Sequence, residues 1–140
     1  MIRKYETKDL AQVMQIWLDT NIMAHPFISK NYWISNFEMV REILPKTEVY
    51  VYVVEGDVAG FIGIDDGYIA GIFISSEMQS KGIGKQLLEK AKELYSNLTL
   101  TVYQKNIKAI KFYQREHFVI KQVQVDENTG EIENSMIWNR

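Results

Sequence analysis

Cysteine is absent from the 140 residues, which excludes disulfides, thiolate metal sites and cysteine nucleophiles. Histidine is nearly absent: with His25 and His117 alone, a zinc site would also need two carboxylates or water. No metal is therefore expected. Charge of one sign is missing too, since sixteen Lys and Arg against eighteen Asp and Glu leave −2. Nothing in that balance draws the chain to nucleic acid or to an anionic membrane. No run of roughly 18 apolar residues is available to span a bilayer. The opening MIRKYETKDL lacks the apolar stretch and small-residue cleavage site of a secretory signal. A cytoplasmic location, without nucleic-acid or membrane partners, is the expectation. Proline occurs twice, and no linker, repeat or low-complexity tract interrupts the chain. What is present is ordinary globular composition, 46% hydrophobic and 24% charged. A chain of this length can bury about 70% of its unfolded surface, so one domain over residues 1–140 is expected.

The patterning predicts alternating helices and strands. Residues 2–5 suit a short opening strand, and Thr7 is placed to cap a helix with Asp9 in its first turn. Leu10, Val13, Met14, Trp17 and Leu18 form one helical face, and Pro26 should end that helix by Ala24. Trp33, Phe37, Val40 and Leu44 predict a second helix, closed by Pro45. Val49–Val54, Val58–Ile64 and Tyr68–Ile74, separated by acidic-glycine turns, read as an antiparallel meander. Ile83, Leu87, Leu88, Ala91 and Leu94 define a third helix, followed by a strand over Leu98–Tyr103. A fourth helix over Asn106–Arg115 precedes strands Phe118–Val125 and Ile132–Trp138. Strand, helix and strand from Tyr68 to Tyr103 make a βαβ unit, whose two strands should pair in parallel or lie side by side. The class is α/β, a mixed sheet carrying helices.

Between strand and helix of that unit lies Gln79-Ser80-Lys81-Gly82-Ile83-Gly84-Lys85. A helix start offers unpaired N–H groups and partial positive charge, and glycines let a phosphate approach the backbone. Lys81 and Lys85 add charge. The pattern equally describes a connecting turn with solvated lysines. A P-loop would need Gly at 79 and Ser or Thr at 86, where Gln79 and Gln86 stand. A dinucleotide fingerprint from Gly82 would need Gly at 87, where Leu87 stands. ATP hydrolysis and Rossmann-type binding lose their support.

The same residues resemble the signature of the GCN5-related N-acetyltransferase (GNAT) family, Gln/Arg-x-x-Gly-x-Gly/Ala after a strand. Here it reads Gln79-Ser80-Lys81-Gly82-Ile83-Gly84, with the branched Ile74 five positions earlier. A second motif, Asn-x-x-Ala-x-x-Phe-Tyr, stands as Asn106-Ile107-Lys108-Ala109-Ile110-Lys111-Phe112-Tyr113. Element order agrees over nearly the whole chain. His25-Pro26-Phe27-Ile28 and Asn31-Tyr32-Trp33 further resemble the bacterial YiaC-like branch. One departure is His117 before Phe118, where the family usually places Gly in a left-handed turn; histidine tolerates that geometry better than most residues.

The resemblance implies the acyl-coenzyme A N-acyltransferase fold: a mixed, mostly antiparallel sheet with a central parallel pair and helices on both faces. It implies acetyl-coenzyme A as cosubstrate. Backbone amides of Gln79, Ser80, Lys81, Gly82, Ile83, Gly84 and Lys85 would hold the pyrophosphate. Main-chain groups of Ile72, Phe73 and Ile74 would pair with the pantetheine arm where the parallel strands splay. Asn106, Ala109 and Phe112 would lie on the coenzyme's far side. Tyr113 would protonate the departing thiolate. The chemistry suits these residue types, because an amine attacking a thioester needs orientation more than a covalent relay. A phenol of pKa about 10 can share a proton with a thiolate of reference pKa about 8.5.

On the acceptor side His25, Phe27, Tyr32 and Tyr103 are candidates, with Trp33 on a core-facing helical stripe. No base stands out among Glu77, Asp65, Asp66, His25 or water. The implied function is N-acetylation of a primary amine (protein lysine, N-terminus or small amine) by direct attack in a ternary complex. A non-catalytic coenzyme A sensor is the alternative. The protein would be a monomer or a homodimer, the latter through an exposed terminal strand such as Ile132–Trp138.

Overall fold

The computed structural model describes residues 1–140. Its elements follow the order β1 (Ile2–Lys4), α1 (Leu10–Ala24), α2 (Lys30–Ile43), β2 (Glu48–Val54), β3 (Asp57–Asp65) and β4 (Tyr68–Ile74). There follow α3 (Ile83–Leu94), β5 (Asn97–Tyr103), α4 (Ile107–Arg115), β6 (Val119–Val125) and β7 (Ile132–Asn139). The seven strands form one sheet in the order β1-β2-β3-β4-β5-β7-β6. Every pairing is antiparallel except β4 with β5. No helix is long and apolar enough to cross a membrane.

Alternation along the strands separates two apolar layers. Val49, Val51 and Phe61 pack with Val13, Met14 and Trp17 of α1. Tyr50, Ile62 and Leu100 face the other way, against Leu87, Leu88 and Ala91 of α3 and Tyr113 of α4. Helices thus cover both faces, as a sheet apolar on both sides requires.

Two expectations are corrected. Thr7 does not cap the first helix. Glu6 takes the extended capping conformation before a single 3-10 turn, and its N–H donates to Asp9 Oδ2 at 2.8 Å. The buried Asp9 is fixed further by two hydrogen bonds from Arg3, at 2.8 and 2.9 Å. The carboxylate therefore bridges β1 to the start of α1. Nor is Ile132–Trp138 an exposed terminal strand. β7 lies between β5 and β6, paired on both sides, and β6 forms that edge of the sheet. Placing the last strand inside gives Met136 full burial between its neighbours.

The parallel pair is short. β4 and β5 are in register only at Tyr68↔Thr99 and Ile69↔Leu100. Beyond Leu100 the partner of β5 is β7 alone, and Gly71–Ile74 of β4 pair with β3 alone. Where they part, Gly63 opposes Gly71 while Ile64 opposes Ile69, so Ala70 is an extra, bulged residue. A bulge bends its strand and sharpens its twist. It stands next to the last residue that β5 holds.

Candidate active site

The glycine loop leaves β4 through a turn and enters α3 at Gly82, whose φ of 82° is left-handed. Ser80 is left-handed as well, at 63°. Alternating such residues with ordinary ones turns successive backbone N–H groups toward one side, a concavity suited to an anion. The first N–H groups of α3 have no partner within the helix and add its positive dipole end. Gln79 does not point into this concavity. Its Nε2 donates to the Ile74 carbonyl at 3.0 Å, tying the loop back to the end of β4. A methyl group on Gly84 would meet Phe112 at 3.6 Å and Ile74 at 4.0 Å, ordinary contacts. That accounts for a motif position that accepts Gly or Ala but nothing bulkier.

From this loop a cleft of about 1490 Å³ runs between the parted strands. Ile72, Phe73 and Ile74 form one wall, with Thr101, Val102 and Tyr103 opposite. Alternate backbone groups on the β5 side of β4 have no strand partner there, an unsatisfied edge that an extended ligand can complete.

Helix α4 closes the cleft from beside the loop. Asn106 is its N-cap rather than its first residue, with Oδ1 accepting from the Ala109 N–H at 3.3 Å. Two turns on, Tyr113 lines the cleft while its ring packs against Phe112 and Phe118. Its hydroxyl has no hydrogen-bond partner in the protein, and burial pushes its pKa up, so it stands as a protonated donor. His117 turns left-handed at 74° just before Phe118, so the turn survives the loss of glycine.

The opposite end is aromatic. His25 ends α1; both its backbone N–H and its ring Nδ1 bond the Asn21 carbonyl, at 3.1 and 2.9 Å. Its ring stacks on Trp33 at 5.1 Å and meets Phe27 and Tyr103 edge-on. Burial lowers the His25 pKa, and the bond to Asn21 only partly opposes that. Tyr103 donates to Asp126 Oδ2 at 2.6 Å; burial first, then that bond, pushes its pKa up.

The structure thus brings most of the sequence-selected residues to one cleft: Ile72–Ile74, most of the glycine loop, Asn106, Ala109, Phe112, Tyr113, His25, Phe27 and Tyr103. Lys81 and Tyr32 are not on its lining. Lys81 is exposed on the loop's outer side, and Tyr32 packs edge-on against Trp33. Trp33, read as core, is both buried and part of the wall. Sequence reasoning missed Thr20, Asn21, Asp126 and Glu133, which line the cleft although their motif-free surroundings gave no signal. Glu77, Asp65 and Asp66 lie outside it.

Residues 24–131 match the model of the acetyltransferase (GNAT) domain. The chain belongs to the GNAT family. It is 35% identical over 122 residues to the peptidyl-lysine N-acetyltransferase YiaC of Escherichia coli, covering 86% of this chain and 84% of that one. In fold, this GNAT chain superposes on apo YjaB from Escherichia coli with a TM-score of 0.87, at 24% identity, over 99% and 96% of the two chains. The TM-score against the PaiA N-acetyltransferase from Thermoplasma acidophilum, solved in complex with coenzyme A, is 0.82. That match has 18% identity and covers 100% and 98% of the chains. As a GNAT protein, the chain is an acetyl-coenzyme A-dependent acetyltransferase.

Proposed function

We propose that this chain acts as one N-acetyltransferase domain over residues 1–140, moving the acetyl group of acetyl-coenzyme A to a primary amine by direct attack in a ternary complex. A protein lysine is the favoured acceptor, because YiaC, with which it shares 35% of aligned residues, is a peptidyl-lysine N-acetyltransferase. The observation that carries the reading is the parting of β4 from β5 beyond Ile69 and Leu100, beside a doubly left-handed glycine loop.

Each part of that geometry has a task. Amides from Gln79 to Lys85 receive the diphosphate at the start of α3. Free main-chain groups of Ile72, Phe73 and Ile74 take the pantetheine arm as an added strand. A strand N–H near Phe73 or Ile74 stabilises the oxyanion as the amine attacks. Asn106, Ala109 and Phe112 flank the coenzyme from α4. The Tyr113 phenol, unpartnered and protonated, gives its proton to the leaving thiolate. With no cysteine in the chain, a covalent acyl relay through a thiol is unavailable. His25, Phe27 and Tyr103 face the amine from the other end. The fold offers no observation that favours a non-catalytic sensor.

The test is Tyr113→Phe. Turnover in a thiol-release assay should fall at least tenfold, about 1.4 kcal/mol of barrier, while calorimetric affinity for coenzyme A stays nearly unchanged. Undiminished turnover would remove Tyr113 from the mechanism.

A further inference from the structure

Two independent constraints fix the state of the His25 ring. The Asn21 carbonyl can only accept, so the Nδ1 at 2.9 Å from it carries the hydrogen. On the other side Nε2 faces Asn106 Nδ2 at 3.5 Å. The orientation of that amide is set by the helix cap, since Oδ1 accepts from the Ala109 N–H. The group presented to His25 is therefore a donor, and Nε2 must be the bare acceptor. Both arguments select the same tautomer. At 3.5 Å the contact with Asn106 is weak, at the long limit for a hydrogen bond, and an incoming donor can replace it.

We propose that His25 is the general base of the reaction, its Nε2 lone pair taking the proton of the acceptor ammonium. This rests on the amine-acetylation reading above. Asn21 and Asn106 are positioning residues, one holding the tautomer and the other marking the lone pair's direction. Trp33 stacks on the ring, Phe27 and Tyr103 stand near-perpendicular to it, and Nε2 faces Asn106, which lines the same cleft as His25. Asn106, which Nε2 faces, caps α4 two turns before Tyr113, a rise of about 10 Å, so the base and the acid line one cleft.

The proton inventory closes. His25 takes one proton from the ammonium, and the freed lone pair forms the C–N bond. The C–S bond breaks, and the thiolate takes the Tyr113 proton. The second nitrogen proton returns to the Tyr113 phenolate through water. His25 releases its proton to solvent, so one proton leaves per amide formed.

The ring's direct partners are neutral, and the charged groups near it are otherwise engaged. Lys105, from the loop after β5, pairs with Glu131 at 3.1 Å and lies over the Phe27 ring. Asp126 accepts from Tyr103, and Glu133 of β7 accepts from Gln124 at 2.8 Å. Tyr32 of α2 meets Trp33 edge-on, and burial pushes its phenol pKa up, with Asp126 adding to that. None of these takes Nε2.

The experiment uses the full chain, acetyl-coenzyme A and Nα-acetyl-lysinamide as the amine probe. In the wild-type protein kcat/KM should rise with pH along a limb set by an imidazole below its ordinary pKa of about 6.5. His25→Ala and His25→Gln should lower kcat at least 30-fold at neutral pH, about 2 kcal/mol of barrier. Both should abolish that limb, and added imidazole should restore part of the rate to His25→Ala. Coenzyme A affinity, measured by calorimetry, should stay within roughly threefold in both variants, well under 1 kcal/mol. An active wild type with unaltered rate and pH limb in His25→Gln would overturn the assignment of the base alone. A folded, coenzyme-binding wild type that releases no thiol with any amine would overturn both this inference and the reading beneath it.

Discussion

Gly82 and His117 show what single residues contribute to this site. Both lie in the left-handed region, at 82° and 74°, one opening α3 and the other leading into the buried Phe118. Nothing lies within 4 Å of where a Gly82 side chain would begin, so its requirement is torsional and not steric. Gly82→Ala should therefore destabilise the fold by about 1–2 kcal/mol without repacking any neighbour. Chemical denaturation would read that cost, and coenzyme A titration would show whether the amide concavity has relaxed. Of these residues the sequence announced Gly82 and His117 plainly. It did not announce Ser80, because nothing in a serine codes for a positive φ; the neighbouring turns impose it. Nor did it announce Asp126, which anchors Tyr103 at the cleft.

Among the elements, α4 and β4 decide the geometry of the cleft. Helix α4 begins where the Asn106 side chain satisfies the Ala109 N–H, so one residue both caps the helix and faces His25. Asn106→Ala should cost about 1 kcal/mol of stability and Asn106→Ser should recover most of it, since a serine hydroxyl can cap as well. Thermal melts of the two variants would separate the capping role from the amide's role toward His25. β4 was legible as a strand from its composition, and its parallel partner followed from the intervening helix. The bulge at Ala70 was not, because a pattern of period two does not reveal which residue is skipped in pairing.

For the molecule as a whole, the helices must sit firmly on both faces of one sheet for the two ends of the cleft to stay aligned. Asp9 is one such tie, joining β1 to α1 through Arg3. The Arg3 hydrogen bonds hold the Asp9 carboxyl below its ordinary pKa, with burial opposing them. A depressed folded pKa gives stability that is complete above the unfolded value of about 4 and is lost as pH falls through the folded one. Asp9→Ala should cost about 2 kcal/mol at neutral pH, with the Glu6 N–H left unpaired and Arg3 keeping only the Lys4 carbonyl and the Glu6 carboxylate at 3.6 Å. Melting across about pH 2 to 6 should show a shallower acid decline in Asp9→Ala than in the wild type. The local code, read from hydrophobic period, turn chemistry and two spaced motifs, determined the helices, the strands, the class and the glycine loop between β4 and α3. Each of those depends on interactions within a few positions along the chain. Only the tertiary structure decided that β7 lies inside the sheet, that β4 and β5 part at Ala70, and that His25 meets Asn106 across 81 positions with its Nε2 bare. Those outcomes depend on which distant groups share a surface, and no local pattern encodes that.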